Sequence, residues 1–263
     1  MLFLLTPAKN LDFAPAPDAP EATKPALTKD LGELVDVAKD LSARDLKRLM
    51  GISDNLADLN HQRFQAFKTR GKPASSKQAA LAFNGDVYQG LDAATLAPRE
   101  LAYAQDHVRI LSGLYGVLRP LDAIQPYRLE MGTRLKNPRG ADLYAFWGDR
   151  VAKELNKAAK GHDDPTVVNL ASKEYFGVVD RGALKPPVLT AVFKEEKDGK
   201  LRQLQFYAKR ARGLMARWAA QNRPTRLDDI KDFDLEGYAF APNASRDDEW
   251  VFTRPQPAPK GKA

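Results

Sequence analysis

The sequence predicts an α+β fold: a single compact domain with a mixed β-sheet core surrounded by helices. Three observations predict it. Short apolar runs bounded by Gly, Pro or Asn have the length and punctuation of buried strands. Other stretches place apolar residues three and four apart, the spacing of an amphipathic helix. The 263 residues show no internal repeat and no sharp mid-chain linker, and a chain of that length can bury one large core. The domain is expected to span 1–254, with 255–263 as a flexible Pro/Lys-rich tail.

Each element has its own reason. Residues 1–5, MLFLL, read as a short buried strand, and TPAKNLD after it as a turn presenting Lys9 and Asp12. APAPDAPEATKPA at 14–26 reads as a surface loop or extended connector. Between 29 and 67 the pattern is helical. Leu31, Leu34, Val35 and Ala38 share one face, Ser42 caps a second helix (ARDLKRLM) that Gly51 ends, and a third runs from Asp54 to about Phe67. DRVAKELNKAAK at 149–160 is a helix ended by Gly161, and TVVNLAS at 166–172 is the best strand. PPVLTAVFKEEKDGKLRQLQFYAK reads as a hairpin around a Lys-Asp-Gly-Lys turn at 197–200. GYAFAPNASRDDEWVFTR at 237–254 reads as another strand–turn–strand.

The net charge of +7 is local. Residues 202–226 contain Arg202, Lys209, Arg210, Arg212, Arg217, Arg223 and Arg226 and no acid, so the rest of the chain sums to zero. Within that segment Ala211, Leu214, Met215 and Trp218 form a helical apolar face, and Lys209, Arg210, Arg212 and Arg217 project from the opposite side. A solvated helix face usually mixes signs for i,i+4 pairing, whereas a single-sign face suggests a polyanion such as phosphate. A second basic stretch, 119–139, carries Arg119, Arg128, Arg134, Lys136 and Arg139 against Asp122 and Glu130. Proline and glycine make it mostly loop, where arginines suit bidentate phosphate contacts or structural salt bridges.

Residues 46–67, LKRLMGISDNLADLNHQRFQAF, resemble a helix–hairpin–helix of the kind that binds DNA. In that motif Gly51-Ile52-Ser53 makes the turn, Ile52 anchors it, small Ala57 permits close packing, and the next helix start aims free N–H groups at a phosphate. Ser53 stands where a second glycine is usual, and Asp54 near the helix start caps it but repels phosphate. A plain helical hairpin fits the same residues.

Several segments together resemble the bacterial YaaA family of peroxide stress resistance proteins. They are TPAKNLDF at 6–13, LAFNGDVYQGLDA at 81–93, LSGLYGVLRPLDAIQPYRLEMGTRL at 111–135, DLYAFWGD at 142–149, NLASKEYF at 169–176 and FYAKRARGLMARW at 206–218, with the strand–turn–strand near Gly237. They occur in the family's order across nearly the whole chain. The family start is usually SPAKTLD, so Thr6 and Asn10 depart from it and a hydroxyl is lost at position 10. The resemblance implies cytosolic DNA-binding proteins with an unusual α+β fold, a positively charged cleft and a helix–hairpin–helix, linked to limiting free iron during peroxide stress.

The expected function is therefore DNA binding through phosphates. The partner is double-stranded DNA, bent or branched forms included, and the protein is expected to be monomeric, cytoplasmic and free of membrane association. Gly51, Ile52 and Ser53 would grip one backbone, and Arg119, Arg128, Arg134, Lys209, Arg210, Arg212 and Arg217 would line a basic cleft. The alternative is a lesion-processing DNA lyase or glycosylase. Its candidate catalytic residues are Lys9, Asp12, Glu130 and Lys209, because a desolvated lysine, or one near other cations, can form a Schiff base. The bland reading of the first pair is that Lys9 pairs with Asp12 across the turn.

Composition excludes other chemistry. Zero cysteine removes disulfides, thiolate metal sites and thiol redox mechanisms. His61, His107 and His162 are far apart in sequence and form no HxxxH pair. Asp86, Asp122, Asp149 and Glu174 lack an ExxH partner, and Asp247, Asp248 and Glu249 read as a solvated turn, so neither a metal nor a cofactor is expected. No GxxxxGK[ST] or strand–GxGxxG–helix appears, which disfavours nucleotide hydrolysis and dinucleotide redox.

Overall fold

Strand β1 (Leu2–Leu5) has every side chain fully buried, which requires strand neighbours on both edges and cover on both faces. The computed structural model describes residues 1–16 and 19–258 and supplies both. After β1 come β2 (Asn10–Leu11) and three helices, α1 (Thr28–Lys39), α2 (Ala43–Met50) and α3 (Asp54–Ala66). Short elements β3 (Lys77–Gln78), α4 (Ala79–Ala82), β4 (Phe83–Asn84) and α5 (Asp86–Leu91) lead through α6 (Pro98–His107) into β5 (Val108–Ser112). A loop-rich stretch with β6 (Gly116–Leu118) and β7 (Ala123–Ile124) precedes α7 (Leu143–Trp147), α8 (Arg150–Ala159), β8 (Val167–Asn169) and α9 (Lys173–Phe176). The last part comprises β9 (Val188–Lys197), β10 (Lys200–Arg202), α10 (Gln205–Asn222), β11 (Ala239–Phe240) and β12 (Glu249–Pro255).

The main sheet is mixed, in the order β11-β12-β9-β8-β1-β5-β6, with β10 paired to the end of β9. Its five central strands are parallel, and β11, β6 and β10 join them antiparallel. From β1 the chain moves to β5 on one side and then returns to β8 on the other. That reversal makes the C-terminal ends of β1 and β8 a topological switch point, the place where such sheets open a crevice.

Local chemistry explains the helices. The four residues expected to face the core from α1 are its buried ones. Ser42 caps α2 in a reciprocal box with Asp45, and Gly51 ends that helix in the left-handed region at φ 61°. The hairpin after β9 turns at Asp198 and Gly199, both left-handed, which matches the twist of its strands. Its second strand is shorter than the sequence suggests. It ends at Arg202, and from Gln205 the chain is already α10, because Ala208 and Ala211 are needed on the buried face of that helix.

Helices α10 and α5 touch backbone to backbone. A Cβ added at Gly213 would lie 1.8 Å from the Val87 carbonyl oxygen, and one at Gly90 would lie 2.2 Å from the Arg210 oxygen. A buried ionic group ties the start of α10 to the sheet. Glu195 of β9 is fully buried and accepts from the Tyr238 hydroxyl, and Arg254 of β12 faces it at 3.6 Å. Glu236 then bridges Arg254 (3.0 Å) and Arg210 (2.7 Å).

The two segments expected to be loose are partly held. Thr23 donates to Leu121 and accepts from Ala123, both at 2.8 Å, and Gln256 donates to Glu196 at 2.8 Å. Residues 17–18 and 259–263 lie outside the described ones.

The helix contact is testable. Gly213→Ala should lower stability by about 1–3 kcal/mol or more, since a methyl has nowhere to go. Gly32→Ala, in α1 with nothing within 4 Å of its Cβ position, should instead raise stability by roughly 0.5–1 kcal/mol. Urea unfolding of both variants reads the contrast.

Candidate functional site

Three segments converge on the C-terminal edge of the parallel strands. The first leaves β1. Tyr88 of α5 donates to the Thr6 carbonyl at 3.2 Å, a Cβ at Gly85 would lie only 3.1 Å from that of Ala8, and β2 pairs with β4. The second leaves β5. Ser112 and Tyr127 share a 2.7 Å hydroxyl bond, and a Cβ at Gly113 would lie 2.3 Å from the Leu129 oxygen, so only glycine lets residues 127–131 pass so close. The third leaves β8. The Ser172 amide donates to Thr6 Oγ1 at 2.8 Å, and the Gly132 amide donates to Glu174 at 2.9 Å.

The outcome is a cationic cluster around one carboxylate. Lys9 Nζ is 2.8 Å from Glu130, and Arg128 Nη2 donates to the same carboxylate at 3.1 Å. Arg63 of α3 is half-buried beside them. Burial and then the charge of Arg128 lower its pKa, and among the described residues its side chain hydrogen-bonds only to Asn60, at 3.4 Å. Arg128 Nε is buried with no hydrogen-bond partner among the described residues. Lys9 and Arg128 thus share Glu130, Arg63 adds its charge beside Arg128, and the excess positive charge suits an anion.

The expected site residues divide accordingly. Lys9, Arg128 and Glu130 meet. No hydrogen bond or ion pair among the described residues joins Asp12 or Lys209 to them. Asp12 accepts from the Ala14 amide and faces Lys77 at 3.9 Å, so the Lys9–Asp12 pairing does not form. Lys9 is 62% exposed and ion-paired, unlike a lysine desolvated for Schiff-base chemistry. Arg134 and Lys209 are exposed. Arg119 is held by Asp122 at 2.9 and 3.1 Å and by the Lys24 carbonyl.

Helix α10 does not present a solvated basic face. Arg217 donates to the carbonyls of Leu91 and Asp92 and to Thr95, at 2.9–3.1 Å. It thereby satisfies the orphan C-terminal carbonyls of α5, where a cation is favoured. Arg210 pairs with Glu236 and reaches the Gln89 carbonyl at 3.3 Å. Arg212 is half-buried, which lowers its pKa. Burial of α10 around most of its circumference brings these guanidinium groups onto the neighbouring helix.

The 42–67 region is a helical hairpin. Ile52 and Ala57 are buried, as anchor and close-packing residue respectively. Ser53 is the N-cap of α3 through its side chain, so Asp54 follows the cap instead of providing it. Lys47 sits 2.8 Å from Asp54 and offsets the charge that would repel a phosphate. The hairpin encloses a groove of about 610 Å³ lined by Arg44, Lys47, Arg48, Asp54 and Asp58, among others.

Two of the three scattered histidines come together at the opposite edge of the sheet. His107 precedes β5 and His162 precedes β8. Their rings stack at 4.1 Å and 12°, with Tyr103 stacked on His107 at 3.8 Å. His107 Nδ1 lies 2.8 Å from the Met1 carbonyl, and His162 Nδ1 lies 3.2 Å from the Met1 nitrogen. Asp106 faces both rings.

Burial pushes His107 down to about 4 and also lowers His162. His107 is neutral in the fold near pH 6, where an unfolded histidine is largely protonated, and the downward shift of His162 acts in the same direction. The unfolded chain therefore binds more protons over that range, and stability should fall as pH drops from about 6.5 toward 4 and level off above. Urea midpoints at about pH 7 and about pH 5 check the sign. A midpoint independent of pH would contradict it.

A family profile described as "Peroxide stress protein YaaA" matches residues 1–244. A UPF0246 protein of Phenylobacterium zucineum is 61% identical over 261 residues, covering 98% of this chain and 97% of its own. A UPF0246 protein of Caulobacter vibrioides is 57% identical over 257 residues, covering 98% and 100%. One from Maricaulis maris is 53% identical over 262 residues, covering 100% and 99%. No helix among the described residues is long and apolar enough to cross a membrane. With a match this extensive, the chain belongs to the YaaA family of peroxide stress proteins, also called UPF0246.

Proposed function

We propose that this peroxide stress family protein binds double-stranded DNA through its phosphates. The observation that carries the reading is the pairing of both Lys9 and Arg128 on the single carboxylate of Glu130, with Arg63 beside Arg128 and Arg128 Nε left unpaired among the described residues. Such a group gains by taking up an anion, and the switch-point edge is where a ligand is reached. The hairpin adds a second contact. The Leu56 amide is taken by Ser53 and the Ala57 amide by the Ser53 carbonyl, which leaves the Asp54 and Asn55 amides at the start of α3 for a phosphate. Exposed Arg134 and Lys209 extend the positive surface, whereas Arg119, Arg210 and Arg217 contribute mainly by holding the fold.

The link to limiting free iron that the resemblance implies belongs to this same reading. A chain without cysteine cannot serve it by thiol redox chemistry.

Fluorescence anisotropy with a short duplex tests the proposal. Affinity should fall steeply and linearly on a log–log plot against salt. Arg63→Gln and Arg128→Gln should each weaken binding by roughly tenfold, the loss of about 1.5 kcal/mol, and flatten the salt slope by about one. Unchanged affinity in both variants would remove the cleft from the reading. Borohydride trapping on an abasic duplex examines the lyase alternative, which requires an adduct lost in Lys9→Ala.

A further inference from the structure

The stacked histidines have a use that the cationic edge does not explain. We propose that Asp106, His107 and His162 form a binding site for one divalent transition ion of the zinc class.

The ligand geometry is close to what such an ion needs. One donor atom from each of the three residues lies within 4.8 Å of the others. Asp106 Oδ2 is 3.4 Å from His162 Nε2 and 3.6 Å from His107 Nε2. A tetrahedral ion with bonds of about 2.0–2.1 Å separates its ligands by about 3.3–3.4 Å. Two imidazoles with one carboxylate suit zinc, cobalt or nickel better than magnesium or calcium.

A second, independent observation points the same way. The His162 side chain is only 5% exposed, and its Nε2 is buried without a hydrogen-bond partner among the described residues. The contact to Asp106, though only 3.4 Å long, is too bent to count as one. A buried nitrogen left unpaired is costly, and an ion placed between it and Asp106 would satisfy it.

The surroundings already hold the rings as metal ligands are held. Met1 contacts Nδ1 of both, its carbonyl at His107 and its nitrogen at His162, so both Nε2 atoms face Asp106. Outer hydrogen bonds of this kind fix ring orientation in metal sites. On His107 the Nδ1–H bond to the carbonyl leaves the Nε2 lone pair free. On His162 the ion takes the Nε2 lone pair, so one proton leaves the His162–Met1 pair as the ion enters. Because the rings stack, binding must also draw their Nε2 edges together. Asp106 is 69% exposed, which leaves an entry path and room for a water as fourth ligand. Asp163 and Asp164 add negative potential, and Arg109 opposes them.

The test uses the full chain and Co²⁺ alone, followed optically, with Zn²⁺ as competitor. One equivalent of Co²⁺ should give the intense visible bands of four-coordinate cobalt, and Zn²⁺ should abolish them. Asp106→Ala changes an exposed side chain and should keep the fold, checked by circular dichroism. It should weaken binding by more than the roughly 10–100-fold that an outer partner costs, as should His162→Ala. No stoichiometric binding by the folded protein would overturn the proposal. So would binding of equal strength in the folded Asp106→Ala variant, since the ion would then sit elsewhere.

Discussion

The rest of the structure depends on the parallel pairing of β1 with β5 on one edge and with β8 on the other. Parallel strands point their ends the same way, so everything that leaves β1, β5 and β8 emerges at one edge, and everything that enters them gathers at the other. The segments carrying Lys9, Arg128 and Ser172 meet for that reason alone. His107 and His162 meet for the same reason, since each enters a strand that flanks β1. No direct interaction between Lys9 and Arg128, like charges both, would have brought them together.

Packing against this sheet is set by backbone contact as much as by apolar side chains. Gly90 and Gly213 let α5 and α10 meet with no side chain between them. Arg210 and Arg217 then reach across to the C-terminal carbonyls of α5. At the other end of α10 the buried Glu195, with Tyr238 and Arg254, anchors the connection to β9 and β12. Helix α10 is thus a structural strut whose Arg210 and Arg217 are turned onto neighbouring elements.

Much of the fold was legible in the sequence because it rests on local signals. The apolar face of α1, the Ser42 cap, the Gly51 stop, the Asp-Gly turn and the MLFLL strand each need only neighbours within one or two turns. The site was legible in type but not in assembly. Lys9, Arg128 and Glu130 are conspicuous residues, yet their meeting depends on strand order. Arg63 carried no signal at all, being one polar residue on an ordinary helix. The basic run at 209–217 shows its charges in the sequence but not the partners that the fold gives them. Arg217 is held mainly by backbone carbonyls, which a count of charges does not register, while Arg210 pairs with Glu236 from outside the run. The histidines mislead similarly, since separation along the chain says little about separation across a parallel sheet.

One feature of β1 ties the two edges together. Met1 touches the histidine stack, and Thr6, just past the other end, accepts from Ser172 and Tyr88 at the cationic edge. The four residues between span only about 13 Å. A slip of β1 by a single residue would turn its buried side chains to the opposite face and withdraw both end contacts in the same movement. The two edges therefore share one register, and the same four leucine and phenylalanine side chains that fill the core also act as the gauge that sets both clusters in position.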